Sequence, residues 1–414
     1  MTFRDAKRAG PLAHLRVLDL SRVLAGPWAS QLLADLGAEV IKVERPGAGD
    51  DTRGWGPPWL RDREGRDTPE SAYFASANRG KRSVTVDLAR PEGRELVRRL
   101  AARSDALLEN HKVGGLARHG LGYEDLAAVN PGLVYCSITG FGQTGPYRHR
   151  AGYDFLIQGM GGLMSVTGEP DGAPGGGPMK VGVAITDLLT GMYAAVAVLA
   201  ALAERDRTGR GRHVDLALLD VQVATLANQA QAYLATGRAP GRLGNAHPSI
   251  VPYQRFATRD GHLVLAVGND GQFARFCEVA GAPQLARDPR FATNAGRVTH
   301  RAALVPELER RFAERTSREW IEALEAAGVP CGPIHDLAQV FEDPQVRHRG
   351  MRLEVAHPVA GRVPLVASPI RLSGPPLDPP SAPPTLGQHT REVLGEVLGL
   401  DEAELDGLSA RGVI

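Results

Sequence analysis

Residues 16–46 read RVLDLSRVLAGPWASQLLADLGAEVIKVERP, and the spacing of their apolar positions decides the fold. Residues 17–20 are an apolar run of strand length. Gly26-Pro27 then opens a helical pattern, with proline in the first turn, where its missing N–H is no loss. The pattern stops near Gly37, and residues 39–43 form a second apolar strand. Strand, helix and strand in succession are a βαβ unit, which sets the two strands parallel. The unit is half of a Rossmann-like layer, yet its first turn, SRVLAGP, lacks GxGxxG. A dinucleotide fingerprint is absent, and NAD binding is not expected.

The same rhythm continues downstream. Residues 46–80 are polar and rich in Gly, Pro and Trp, a long loop of the kind that often carries function. NRGKRSVTVDL (78–88) sets Arg79, Lys81 and Arg82 at a strand entrance. Clustered cations there suit a pyrophosphate or ribose phosphate; a solvated turn is the alternative. Residues 91–102 read as a helix and 105–109 as a strand. Residues 110–122 read as a turn and helix carrying Lys112 and Arg118, and 133–139 as a buried strand followed by GFGQTGPY. This is a doubly wound α/β layer, and such layers bind ligands beyond the carboxyl ends of their strands.

The stretch 152–207 holds the candidate chemistry. A helix is expected to open at Asp187 after Thr186, a residue suited to the N-cap. From 188 to 203 it carries no charge and reads as buried all round. A carboxylate at this start would sit among orphan N–H groups and stay ionised at the positive end of the helix dipole. Asp187 is therefore either a reactive carboxylate or a simple cap. Further on, 209–237 reads as a strand running into a long helix, and 237–253 as a linker or site loop. Residues 256–267 read as a hairpin turning at Arg259-Asp260-Gly261. Helices follow at 272–280, 297–315 and 317–327. Short strands return at 351–355 and 362–366, and two short helices close the chain.

Composition bounds the function. The 414 residues carry a net charge of +1 and are 43% hydrophobic. Nothing calls for nucleic acid. The start lacks the apolar core of a signal peptide, and the longest apolar run, 192–203, is too short to span a bilayer. Cys136, Cys277 and Cys331 lie far apart without CxxC, so neither a zinc site nor a disulfide framework is expected, and a cytoplasmic location is.

Together these motifs resemble the class III CoA-transferase family, which includes formyl-CoA and carnitine CoA-transferases. The resemblance is carried along nearly the whole chain by residues 16–53, NRGKRSVTVDL, LLENHKVGGLARHGL, SITGFGQTGPY, AGYDFLIQGMGGLMSVTG, TDLLTGMYAAVAVLAAL, VDLALLD and GVPCGPI. LGNAHPSIVPYQ, VGNDGQF and LGQHT are similar to the branch that uses succinyl-CoA and dicarboxylates such as glutarate. The resemblance implies an aspartyl nucleophile at Asp187, an anhydride and an enzyme–CoA thioester, with acyl-CoA as a substrate and no tightly bound cofactor or metal. It implies CoA contacts at Val23, Ala25, Arg45, Lys81, Asn110 and Arg118. Leu24 and Thr139 replace a glutamine and a lysine of the formyl type, and the polyglycine loop of that enzyme's small domain is not found, so oxalate and formate are not expected. Leu24, Thr139, Tyr153, His247 and Ser249 are candidates for the acyl pocket; for His247 and Ser249 a structured loop is an equal alternative. The implied architecture is a large domain of 1–220 and 331–414, a linker and small α+β domain of 221–330, and an interlocked homodimer. An α-methylacyl-CoA racemase is the alternative function, but Tyr153 stands where its base would be, and tyrosine is a weak general base at neutral pH. A non-catalytic CoA-binding protein is the other.

Overall fold

The computed structural model describes residues 9–375 and 377–414. Strands β1 (Arg16–Asp19) and β2 (Glu39–Glu44) flank the helix Ala25–Asp35, and the loop after them holds an antiparallel pair, β3 (Trp59–Arg61) and β4 (Asp67–Ser71). Next come β5 (Lys81–Thr85), β6 (Ala106–Glu109), β7 (Val134–Thr139) and β8 (His213–Ala217). Six of these form one parallel sheet in the order β5-β2-β1-β6-β7-β8. Counted along the sheet's own strands this is 3-2-1-4-5-6, the doubly wound order, with its switch point between β1 and β6.

Both faces are buried, and successive residues serve opposite cores, as the period of two requires. Leu18, Ile41, Val84 and Leu107 face the helices Pro91–Ala101 and Thr390–Leu398. Val17, Val40, Ala106 and Leu108 face the helices Ala25–Asp35 and Ile185–Thr208. The latter two helices cross closely at Gly191, where a Cβ would stand 2.7 Å from the Ala25 carbonyl oxygen. Glycine is required there because no side chain fits.

The chain forms two compact units. The first runs to Gly162, resumes at Val181–Ala227 and ends with Gln345–Ile414. The second combines Leu163–Lys180 with Asn228–Pro344. Its sheet is antiparallel, β9 (Tyr253–Ala257), β10 (His262–Ala266) and β11 (Cys331–Pro333), over a core containing Phe256, Phe276, Phe312 and Trp320. GVPCGPI was expected to return the chain to the large domain at 331. Instead Leu265 pairs with Cys331 and Leu263 with Pro333, so this segment completes the second unit's sheet. The first unit then adds the hairpin of β12 (Arg352–His357) and β13 (Gly361–Val366).

Three local expectations change. The long helix begins at Ile185, not Asp187, and its N-cap is Ala184, not Thr186. It is not buried all round, since Met192 and Val196 are 51% and 64% exposed. It is long and apolar enough to cross a membrane by length and composition, but its inner face lies in the sheet's core. The single helix expected after β8 is two, Leu218–Thr225 and Ala227–Thr236, separated where Ala227 takes φ 45°.

Candidate active site

Beyond the carboxyl ends of the strands, at the switch point, a cleft of about 180 Å³ opens. Its walls are residues 22–25 after β1, 110–113 after β6 and the loop after β7, with Asp187 at the start of the long helix. Asn110 ties the first two loops together: its Oδ1 accepts from the Arg22 N–H at 2.8 Å and its Nδ2 donates to the Arg22 carbonyl at 2.6 Å. The third loop returns because Gly140 and Gly152 cross at their backbones. A Cβ on Gly152 would meet Gly140 Cα at 2.3 Å. That crossing brings Tyr153 to the cleft and Asp154 to the start of the long helix.

The first loop rests on buried charge. Lys42 Nζ lies 2.9 Å from Asp50, with both side chains fully buried, and it also donates to the Ser21 carbonyl at 2.9 Å. Asp50 in turn accepts the Val23 N–H at 3.1 Å and the Thr52 N–H at 3.0 Å. Val23 has φ 71°, a region that a β-branched residue adopts only when its surroundings impose it. Beside this pair Lys81 Nζ lies 3.1 Å from Asp19, again with no exposure. Burial alone would raise the Asp19 pKa, but Lys81 and Lys42 hold its carboxyl well below the usual range. Burial pushes Lys81 down to about 8.

Asp187 is the third residue of its helix. The N–H groups it was expected to share are held instead by Asp154. Asp154 Oδ2 accepts from Thr186 N–H at 2.8 Å and Asp187 N–H at 3.3 Å, while its Oδ1 accepts from Gln158 Nε2 at 2.7 Å. Thr186 donates its hydroxyl to Gln222 Oε1 at 2.6 Å and caps nothing. A carboxylate from another helix thus caps this one, and its charge faces Asp187. Burial, and then the charge of Asp154, push the Asp187 pKa up to about 7. The expectation of a carboxyl held ionised by the dipole is corrected: desolvation and a like charge outweigh about 0.3–1 kcal/mol of dipole stabilisation. Across the cleft, burial pushes His111 down to about 4, so its ring is neutral near pH 7. Burial pushes the neighbouring Glu109 up to about 7.

Of the residues singled out from sequence, Val23, Leu24, Ala25, Asn110, Thr139, Tyr153 and Asp187 line this one cleft. Arg45 and Arg118 line a second hollow, of about 610 Å³, that shares Arg22, Asp51 and His111 with it. Lys81 lines neither; it is internal, and Arg79 and Arg82 are likewise paired, to Asp35 and to Glu39. The basic cluster is therefore neither a phosphate site nor a solvated turn, but a set of structural ion pairs. His247 and Ser249 belong to the second unit, in a loop where Ser249 N–H donates to His247 Nδ1 at 3.0 Å. Sequence reasoning missed Asp50 and Asp154, which support the cleft through Val23 and through the start of the long helix, and it missed Arg148, His149 and Arg150, which line it. The density of cations in YRHR after a glycine turn was the available signal for the last three. Among the described residues no group of three or more His, Cys, Asp and Glu could hold a metal ion.

The model of CoA-transferase family III matches residues 12–390. A succinate–glutarate CoA-transferase of Agrobacterium fabrum is 51% identical over 390 residues, which are 94% of this chain and 96% of that one. A succinyl-CoA:glutarate CoA-transferase of Mus musculus is 47% identical over 410 residues, 99% of this chain and 92% of that one. Among solved structures, a CAIB/BAIF family protein from Brucella suis is 52% identical with a TM-score of 0.81, covering 94% of this chain and 99% of that one. A match of this extent, over a chain whose cleft lies at the switch point of a parallel sheet, means that the protein belongs to CoA-transferase family III and is a CoA-transferase.

Proposed function

We propose that the enzyme moves CoA from succinyl-CoA to a short dicarboxylic acid, with Asp187 as the nucleophile. The observation that carries this is Asp187 itself, a largely buried carboxyl lining the switch-point cleft with a pKa near neutrality. The donor and acceptor follow from what the relatives are named for. The ionised Asp187 attacks the thioester carbonyl, the C–S bond breaks, and a mixed anhydride and CoA thiolate result. The thiolate attacks the aspartyl carbonyl and releases the first acid, leaving Asp187 as a CoA thioester. The incoming carboxylate attacks that thioester and expels the thiolate, and the thiolate takes the new acyl group and regenerates Asp187. No net proton moves, and the free energy of the broken thioester is held in the anhydrides and returned to the new thioester.

Because Asp154 occupies the N–H groups at Thr186 and Asp187, the oxyanions fall to another donor. The first N–H groups of the helix Ala25–Asp35 have no intrahelical partner, and Ala25 lines the cleft. Val23, Ala25 and Asn110 are assigned to CoA in the cleft, and Arg45 and Arg118 to its phosphates in the adjoining hollow. Tyr153, 64% exposed, has no assigned role as a base. A homodimer that covers Met192 and Val196 and a cytoplasmic location complete the reading. The test is to incubate enzyme with succinyl-CoA and glutarate and identify products by mass. Glutaryl-CoA should form and hydroxylamine should trap Asp187; turnover by Asp187→Ala would overturn the mechanism.

A further inference from the structure

Arg148, His149 and Arg150 line the cleft that holds Asp187, and the transfer of CoA gives them no task. Their surroundings differ from those of the arginines nearby. Arg22 is paired with Asp51, Arg53 with Glu44 and Arg79 with Asp35. Among the described residues the Arg148 side chain donates to His149, its Nε lying 3.0 Å from Nε2, and makes no ion pair. Arg150 makes no ion pair among the described residues. Its guanidinium instead lies 4.6 Å from the Tyr147 ring centroid and 5.4 Å from that of Phe141. Those two rings meet edge to face at 5.6 Å. Stacking on aromatic rings orients a guanidinium and leaves its N–H edge open. A held, unneutralised fork of donors in a cleft matches a carboxylate, which it binds through two parallel hydrogen bonds.

The substrate's chemistry calls for such a group. A dicarboxylic acid presents one carboxylate to the aspartyl carbonyl, and its other end remains ionised. That second charge enters a cleft already holding Asp187 and, behind it, Asp154. Without a cation to meet it, the charge would lose its hydration with no compensation.

We propose that Arg150, oriented by Tyr147 and Phe141, receives the non-reacting carboxylate of dicarboxylic substrates and so selects them over monocarboxylic acids. This rests on the reading of the enzyme as a dicarboxylate CoA-transferase. A phosphate of CoA would suit the same fork, and the test separates the two. Full-length wild type, Arg150→Gln and Arg150→Lys are assayed with succinyl-CoA as donor and either glutarate or valerate, acids of equal carbon number, as acceptor. CoA binding is measured in parallel by calorimetry, which also reports that each variant is folded. We expect the ratio of kcat/KM for glutarate over valerate to fall about 10- to 100-fold in Arg150→Gln, the loss typical of a charged hydrogen-bond partner. Arg150→Lys should lie between, and CoA affinity should stay at the wild-type value. An unchanged ratio overturns the assignment, as does weakened CoA binding with equal losses for both acids, which would make Arg150 a phosphate contact. A wild type that prefers valerate or transfers nothing overturns the proposed function as well; a wild type that prefers glutarate together with an unchanged variant ratio overturns only the role of Arg150.

Discussion

Replacing Asp187 by Asn should abolish transfer and, above neutral pH, stabilise the protein. The folded Asp187 carboxyl is raised from 3.8 to about 7 by burial and by Asp154. Below about pH 4 it is protonated in both folded and unfolded chains, so it contributes no difference. Between pH 4 and 7 the unfolded chain loses the proton while the folded one keeps it, and stability falls as pH rises. Above 7 the whole penalty is present. Three pKa units correspond to a ceiling of about 4 kcal/mol. The residue keeps partial solvent access, and water screens the charge, so about 2 kcal/mol is expected. Asn has the same shape and never pays this penalty. For a chain of this size, with an unfolding entropy of roughly 2.1 cal/mol/K per residue, that is about 2 °C in Tm. The assay is calorimetric melting of both proteins at pH 5 and pH 8. The variant should gain on the wild type between the two, since about two of the three units fall in that interval. Any hydrogen bond from the new amide acts at both pH values and cancels. A Tm difference that is constant with pH, or that shrinks as pH rises, would refute the reasoning.

Two further outcomes are expected. Asp50→Asn removes the buried partner of Lys42 and should cost about 3–5 kcal/mol, read as a drop in melting temperature; Val23→Gly, which takes up φ 71° without strain, should restore part of it, whereas a merely additive loss would disconnect the turn from the ion pair. The kcat/KM for succinyl-CoA should rise about tenfold per pH unit below neutrality and level off near pH 7, as Asp187 loses its proton; a flat profile between pH 5.5 and 7.5 would exclude Asp187 as the group that must be ionised.

The parallel sheet was legible because both of its faces are buried. Runs such as Val17-Leu18 and Val40-Ile41 have no polar side to hide, and the helix between them is punctuated by Gly26-Pro27 and Gly37. The cleft was legible in part for the same reason, since a doubly wound sheet brings the loops after β1 and β6 together. The errors share a physical origin in long-range pairing. Lys81 reads as a surface cation until Asp19, 62 positions away, is placed beside it. Thr186 reads as an N-cap until Asp154 arrives from another helix to take its N–H. GVPCGPI reads as a return to the parallel layer until Cys331 is set against Leu265. Arg150 is one arginine among many until the rings of Tyr147 and Phe141 are seen beneath it. Local propensity carries no information on any of these partners.

The helix Thr390–Leu398 covers the sheet face at β5, and it is bound there by Thr85 N–H to Thr390 Oγ1 and by His389 N–H to the Ser83 carbonyl. Those contacts join residues more than 300 positions apart. A ribosome working at roughly 5–20 residues per second takes about 15–60 s to cross that distance. For all of that time Ile41 and Val84, already synthesised, await part of their cover, and the second unit is made in the interval. A chain cut short before residue 390 would never receive it. Such truncations should accumulate with chaperones or as aggregates even though every residue of the cleft has been translated, which places the last 25 residues among the determinants of soluble yield although they contribute no side chain to the cleft.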